Sequence, residues 1–148
     1  MIKIDMIRIE NILSTEERNA LIEALFSIRN KIQWKAGKDY AHLKKRQRMN
    51  HVSISATISD YDKIIYDIAQ NDNNILYIYE FKACNYYAIR GFAQEKEWLI
   101  IYGPNGIMET AFPPEDTDGY LNKRGFVLIG QIKEVLQWTL NQKNYWTF

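Results

Sequence analysis

The residues best suited to chemistry lie in one basic stretch, from Lys31 to Arg48. This stretch holds seven Lys or Arg and one acidic residue, so it carries a net charge of +6 and leaves the rest of this +1 chain at −5. The two histidines of the chain, His42 and His51, lie within it and just after it. Cationic side chains bind phosphate, and histidine titrates near neutral pH. The stretch is therefore suited to holding a phosphate group and moving protons beside it.

A predicted sheet adds a second set of candidates. On its second strand, the alternation of side chains places Tyr86 and Arg90 on one face and Tyr87 on the other. On its fourth strand, Met108 and Thr110 are expected to share a face. One face of such a sheet can be open, and arginine, tyrosine and threonine beside a basic stretch predict a pocket for a phosphate group there.

Length and composition limit the class of protein. The 148 residues fit a single domain, and 47% hydrophobic with 25% charged residues is typical of a globular chain. No apolar run approaches the ~18 residues that span a bilayer, and the first residues lack the apolar core of a signal peptide. A lone cysteine, Cys84, forms no internal disulfide. We therefore expect a cytoplasmic protein without membrane contact.

The motifs missing from the chain limit its chemistry. The sequence contains no phosphate-binding loop, dinucleotide fingerprint, serine-hydrolase elbow or zinc-protease helix. Two histidines and one cysteine without ligand spacing do not predict a zinc site. We expect neither a cofactor nor a bound metal.

Capping residues and apolar spacing predict two helices that flank the basic stretch. Ser14 and Glu17 have the spacing of a capping box, and the apolar stripe that follows predicts a helix to about Asn30. Ser59 and Asp62 are suited to cap a second helix, which is expected to end in the polar run after residue 70.

Period-two patterns predict the sheet. Besides a short strand near residues 2–6, four strands are expected, the last two joined by an Asn-Gly turn, at residues 75–81, 85–90, 97–102 and 107–112. A polar loop over residues 115–125 and a last helix over residues 126–142 complete the chain. The predicted class is α+β, a four-stranded antiparallel β-meander with helices packed on one face.

Three features in this order resemble the Barnase–EndoU–colicin–RelE (BECR) superfamily, in particular its phage- and toxin-associated branch. They are the run from Lys44 to His51 (KKRQRMNH), the capped helix with residues 60–65 (DYDKII), and the run from Gly106 to Phe112 (GIMETAF) after the Asn-Gly turn. In that group a histidine-containing basic stretch precedes a helix, and a Thr-Ala-aromatic motif ends the last strand. The motifs cover about residues 40–113, within a BECR-like core of about residues 31–114. The strand and helix of residues 1–30 and the last helix are then additions.

The resemblance implies a metal-independent endoribonuclease, often the toxin of a toxin–antitoxin or phage-conflict system and restrained by a protein partner. RNA carries its own nucleophile, the 2′-hydroxyl. Such an enzyme therefore needs only a base, an acid and cations around the phosphate, and it leaves a 2′,3′-cyclic phosphate.

The resemblance also assigns expected roles. His51 matches the histidine of the basic stretch and is the expected proton-transfer residue, and Thr110 matches the motif threonine, which would hold a phosphate oxygen or orient the attacking hydroxyl. Arg46 and Arg90 are the favoured charge-stabilising residues. Glu109 is a rival base, because barnase-like members use a glutamate. The expected RNA-binding residues are Lys44, Lys45, Arg48, His42, Tyr86 and Tyr87. Because His42 is a second histidine, which of the two is catalytic stays open.

Two other kinds of protein fit the same residues. A non-catalytic RNA-binding protein would use the basic stretch and the aromatic residues without cleaving RNA. An inhibitor or immunity protein would act through a protein–protein interface and present the stretch as a docking surface. Arg90 likewise has a simpler alternative role as the cross-strand partner of Glu80.

Overall fold

A six-stranded sheet with helices on both faces organises the protein in the computed structural model, which describes residues 12–138. The helices are α1 (Thr15–Asn30), α2 (Lys38–Arg48), α3 (Ile58–Gln70), α4 (Thr117–Arg124) and α5, which covers residues 132–138 up to the last described residue. The strands are β1 (Gln33–Trp34), β2 (Ile75–Phe81), β3 (Cys84–Ala93), β4 (Lys96–Tyr102), β5 (Ile107–Phe112) and β6 (Val127–Gln131). No helix within residues 12–138 is long and apolar enough to cross a membrane.

The strand order is β1-β5-β4-β3-β2-β6, with β1 parallel to β5 and every other neighbouring pair antiparallel. The α+β class is therefore confirmed. The sheet, however, is six-stranded and mixed, not four-stranded and antiparallel throughout. The two additional strands, β1 and β6, are short and lie at the edges. The strand predicted near residues 2–6 lies outside the described residues.

The region after the sheet differs from the prediction. Residues 115–125, expected to be a loop, contain α4, which Asp116 caps by accepting a hydrogen bond from the amide of Gly119. The helix expected from residue 126 begins at residue 132, because β6 occupies residues 127–131 and pairs with β2. Pairing with a neighbouring strand outweighs the helical spacing of these apolar residues. Its predicted end, residues 139–142, is outside the described part.

The first helix agrees with its prediction, and the second is capped by different residues. The Ser14–Glu17 capping box is present, and α1 ends at Asn30. In α3 the capping residues are Thr57 and Asp60, which bond to each other's backbone amides, so the prediction of Ser59 and Asp62 as caps was wrong. The carboxylate of Asp62 takes part in the site described below.

The sheet separates two apolar clusters. The first face packs against α1 and α3 and contains most of the core, including Leu76, Tyr87 and Ile100. The second face carries a smaller cluster that α4 covers through Leu121. The helices thus pack on both faces, whereas the sequence predicted one. Beyond the part that α4 covers, the second face carries half-buried polar and aromatic side chains.

The turn before β5 is fixed by a close contact with α1. Residues 104–106 form a 3-10 turn in which Asn105 and Gly106 have φ of 62° and 76°, as the Asn-Gly pair predicts. A Cβ built on Gly106 would lie 2.8 Å from Ser27 Cβ and 3.0 Å from the backbone nitrogen of Ile28. The turn therefore requires glycine for both its conformation and its contact with α1.

We expect Gly106→Ala to lower the free energy of unfolding by roughly 2–4 kcal/mol, because a positive φ and an overpacked contact add. Gly37→Ala is the matched control, since Gly37 has φ of 80° with nothing within 4 Å of an added Cβ. It should cost only about 1 kcal/mol. Urea denaturation of both variants measures the difference. Equal losses would show that the contact with α1 contributes nothing.

Candidate active site on helix α2 and strand β5

Helix α2 carries the basic stretch and presents one face to the sheet. It begins after Gly37, which has a left-handed φ of 80°, and its buried residues are Leu43 and Arg46. His42 and Arg46 are four residues apart, so they are neighbours on the same helix face. Both point toward β5, where His42 meets Thr110 and Arg46 meets Phe112.

A hydrogen bond joins His42 to the threonine of β5. The His42 Nδ1 and Thr110 Oγ1 atoms are 3.2 Å apart. The imidazole also stacks on the indole of Trp34, with ring centroids 5.5 Å apart, and the Trp34 Nε1 donates to Asp62 Oδ1 at 2.9 Å. Asp62 thus fixes Trp34, and Trp34 fixes the orientation of the imidazole. Within residues 12–138, no hydrogen bond holds the His42 Nε2.

The surroundings keep His42 neutral. Burial lowers the pKa of His42, and the positive charges of Arg46, Lys45 and Lys38 lower it further, against an opposing effect of Glu109. A neutral imidazole can accept a proton at neutral pH. His42 therefore has the protonation state of a general base.

Arg46 is a buried cation without a counter-ion. Its exposed fraction is 3%, and its guanidinium lies 5.5 Å from the centre of the Phe112 ring. Its other side-chain contacts are the sulfur of Met49 at 3.9 Å and the Nδ1 of His51 at 3.2 Å. Among the described residues no carboxylate pairs with it, and its Nε has no hydrogen-bond partner. A buried charge of this kind is costly, so an anion bound there would be stabilising.

His51 is held by Arg46 from both the backbone and the side chain. The His51 amide donates to the Arg46 carbonyl at 2.8 Å, and the Arg46 guanidinium donates to His51 Nδ1. Because arginine has no acceptor, Nδ1 is unprotonated and the ring proton of the neutral form is on Nε2. Burial lowers the pKa of His51, and the charges of Arg46 and Lys96 add to this effect.

A bulge in β5 determines on which face of the sheet each residue of that strand lies. The register between β4 and β5 shifts so that Ile101 faces Thr110 while Tyr102 faces Met108. Met108 is therefore buried on the first face and Thr110 lies on the second, which corrects the prediction that they share a face. Glu109, at the bulge, is 3.7 Å from Lys35 Nζ. Its carboxylate and the Tyr86 ring both lie beside Gly103.

The structure brings some predicted site residues together and separates others. The cluster formed by His42, Thr110, Arg46 and His51, with Glu109 at its edge, is called the α2–β5 cluster below. Arg90 lies outside it, on β3, and its charge is neutralised by Glu97 at 3.0 Å and Asp118 at 2.8 Å. The alternative partner Glu80 was wrong, because that residue faces Asn85.

The remaining candidates divide between surface and core. Lys44, Lys45 and Arg48 are exposed on α2. Tyr86 is half-buried on the second face. Tyr87 is buried on the first face with its ring 5.5 Å from that of Tyr102, so the prediction that it can stack a base was wrong.

Sequence reasoning missed three residues that position the cluster: Trp34, Asp62 and Phe112. Trp34 belongs to the two-residue strand β1, which pairs with β5 and is too short for a pattern to reveal. In a helix over residues 38–48, His42 and Arg46 are four residues apart and lie on one face. This spacing is the one sequence signal that indicates they act together.

Within residues 12–138, no group of three or more His, Cys, Asp or Glu side chains is arranged to hold a metal ion. Comparison of the chain with models of protein families, with curated protein sequences and with solved structures found no match in any of the three.

Proposed function

We propose that the protein is a metal-independent endoribonuclease whose active site is the α2–β5 cluster. The observation that carries the proposal is the pairing of a neutral histidine on Thr110 with a buried, uncompensated arginine one helical turn away. The phosphodiester of a bound RNA would supply the missing negative charge at Arg46. The ribose that carries this phosphate on its 3′-oxygen would present its 2′-hydroxyl to His42. Cleavage then needs no nucleophile from the protein, because RNA provides it.

His42 acts as the general base in this proposal. The mechanism uses the tautomer in which the proton is on Nδ1, facing Thr110 Oγ1 at 3.2 Å, because this tautomer leaves the Nε2 lone pair available. Nε2 removes the proton of the 2′-hydroxyl while the 2′-oxygen attacks phosphorus and the bond to the 5′-oxygen breaks. The products are a 2′,3′-cyclic phosphate and a 5′-hydroxyl. Trp34 and Asp62 keep the imidazole in this orientation.

Arg46 stabilises the charge that develops on the phosphoryl oxygens. Its burial strengthens the interaction because little water competes for the guanidinium. The exposed Lys44, Lys45 and Arg48 on the same helix attract the RNA backbone by charge alone.

His51 supplies the proton to the leaving 5′-oxygen. In the free protein Arg46 occupies His51 Nδ1 and its charge lowers the pKa of that ring. A bound phosphate takes up the Arg46 hydrogen bonds and offsets its charge, which raises the pKa of His51 toward protonation. Substrate binding would thus charge the acid that the reaction needs.

A toxin role is part of the proposal and rests on the BECR resemblance alone. An acidic protein partner would neutralise the basic face of α2 and cover the cluster. Expression in a bacterium should then slow growth, and a His42→Ala variant should relieve the effect. Equal growth inhibition by both proteins would show that the toxicity does not depend on the α2–β5 cluster.

The test of the proposal is incubation of the pure protein with total RNA in excess EDTA. Wild type is expected to cleave the RNA, and a Thr110→Val, His51→Ala double variant is expected to lose nearly all cleavage. Lys63→Gln, which changes a basic residue of α3 outside the cluster, is the matched control and should cleave like wild type. The three proteins are purified identically so that a contaminating nuclease appears in all of them.

Two outcomes would contradict the proposal. One is the absence of cleavage by wild type, and the other is equal cleavage by wild type and the double variant. Salt-sensitive RNA binding without cleavage would instead favour the non-catalytic RNA-binding protein.

A further inference from the structure

We propose that a row of aromatic side chains on the second sheet face is a stacking subsite for single-stranded RNA that leads to the α2–β5 cluster. The row consists of Tyr86, Tyr79, Phe81 and Phe126 and is called the aromatic row below. The inference rests on the proposed function for its direction toward the cluster, and it adds the form of nucleic acid that the protein binds.

Strand pairing places the rings of the aromatic row side by side. Tyr79 and Tyr86 are cross-strand partners, and Phe81 is two residues further along β2 on the same face. The Tyr79 ring centroid lies 6.4 Å from that of Tyr86, 6.1 Å from that of Phe81 and 4.9 Å from that of Phe126. The planes of Tyr79 and Phe81 differ by 15°. The plane of the Tyr79 ring is tilted by 36° from that of Tyr86 and by 32° from that of Phe126. Aromatic rings that lie side by side on one sheet face, above all the nearly parallel pair of Tyr79 and Phe81, can stack bases splayed out from a single strand.

One end of the row reaches the proposed active site. The Tyr86 ring lies against Gly103, where a Cβ would be 3.3 Å from its carbons and 4.0 Å from the Glu109 carboxylate. Glu109 neighbours Thr110, whose side chain lies on the same sheet face as the row. A nucleotide bound at Thr110 would therefore have its neighbour over Tyr86.

The other end of the row is exposed and has a lysine beside it. Phe81 is 48% exposed, and Lys82 Nζ lies 5.3 Å from the centre of its ring. Tyr79 also lines a cleft of about 300 Å³ whose charged lining residues are Arg124, Glu17 and Glu80. The nearby Glu80 projects from the opposite face of β2, where Glu17 bonds Asn85. Lys82 thus places a cation beside the Phe81 ring, where it can attract a nucleic-acid backbone, while Glu17 and Glu80 line the cleft from the first-face side of β2.

This combination favours single-stranded nucleic acid as the occupant. Every base has a π-face, so stacking on tyrosine and phenylalanine tolerates any sequence, and cations at the side attract the backbone. A duplex presents no base faces to a sheet.

The experiment measures binding of a single-stranded DNA of about ten nucleotides by fluorescence anisotropy, because DNA lacks the 2′-hydroxyl and stays intact. Tyr79→Leu and Phe81→Leu are each expected to weaken binding about fivefold or more through loss of a stacked base. Tyr79→Phe keeps the ring and should retain the affinity of wild type. Phe92→Leu is the matched control, since Phe92 is 73% exposed on β3 and outside the row, and it should leave affinity unchanged.

Length dependence gives a second readout. The loss caused by Phe81→Leu is expected with the ten-nucleotide strand and absent with a dinucleotide, which reaches only the rings nearest the cluster. Unchanged affinity of both leucine variants for the long strand would overturn the proposal. Binding of a protein partner, in place of nucleic acid, to the aromatic row would also overturn it. Because the DNA is not cleaved, row-dependent DNA binding without RNA cleavage would support the subsite while the nuclease proposal fails.

Discussion

Replacing Arg46 by methionine is expected to lower the rate of RNA cleavage by roughly a hundredfold to a thousandfold, while leaving the protein as stable as wild type or more stable. The loss of rate follows from removing the group that stabilises charge on the phosphoryl oxygens. The effect on stability has the opposite sign to most buried substitutions, because Arg46 is 3% exposed and has no carboxylate partner. An apolar side chain of similar volume removes the cost of a buried charge, so we expect the free energy of unfolding to rise by ~1 kcal/mol.

The measurements are single-turnover cleavage and urea denaturation of the same preparations. Arg29→Met is the matched control, because Arg29 has a counter-ion in Asp72 at 2.9 Å and also bonds the Ala69 carbonyl. It should lose stability and keep its cleavage rate. Inorganic phosphate should raise the melting temperature of wild type and not that of the Arg46 variant. If the Arg46 variant cleaved like wild type, the guanidinium would not bind the scissile phosphate.

Replacing His42 by alanine is expected to lower kcat/KM by about 10²–10⁴-fold through loss of the general base. In wild type the rate should rise with pH as His42 loses its proton. Because burial and three nearby cations lower the pKa of His42, the midpoint of this acid limb should lie below the ordinary histidine value of 6.5. The limb should disappear from the residual activity of the alanine variant.

Variants that remove one charge near His42 test the direction in which the acid limb of this pH profile shifts. Lys45→Gln removes a cation that lowers the pKa of His42, so the acid limb should move to higher pH. Glu109→Gln removes the group that raises this pKa, so the limb should move to lower pH. Lys63→Gln, on α3, should not move it. Shifts of Lys45→Gln and Glu109→Gln in the same direction, or none at all, would show that the limb does not report His42.

The same histidines also link stability to pH. The pKa values of His42 and His51 are lowered in the folded protein, so below the ordinary histidine value the unfolded chain binds more protons than the folded one. Stability should therefore fall as the pH drops from that value, until both rings are protonated in the folded protein as well.

Sequence patterns predict the elements that depend on residues close together along the chain. The capping box of α1, the end of that helix and the Asn-Gly turn depend on residues a few positions apart, and each agrees with the structure. Helix α2 was not predicted, because it has no apolar stripe and one of its two buried residues is an arginine. Strand β6 was mistaken for a helix because its pairing with β2 is a long-range interaction.

The candidate site was predicted as a set of residue types and not as an arrangement. The basic stretch, Thr110 and Arg46 were identified, but the partner of Thr110 is His42, which is 68 residues away along the chain. That pairing depends on α2 and on the β5 bulge, and neither has a local pattern in the sequence. The charge of Arg90 and its place on a strand face with Tyr86 make it a candidate, and only the folded chain shows the two carboxylates that neutralise it.

The most direct test of the account uses a DNA strand pool that contains a single ribonucleotide, incubated with the protein in excess EDTA and followed by mass spectrometry of the products. We expect scission only after the ribonucleotide, with a 2′,3′-cyclic phosphate on one fragment and a 5′-hydroxyl on the other. The His42→Ala variant should give almost none of this product. Cleavage of the all-DNA strand, or fragments that carry a 5′-phosphate, would contradict attack by the 2′-hydroxyl.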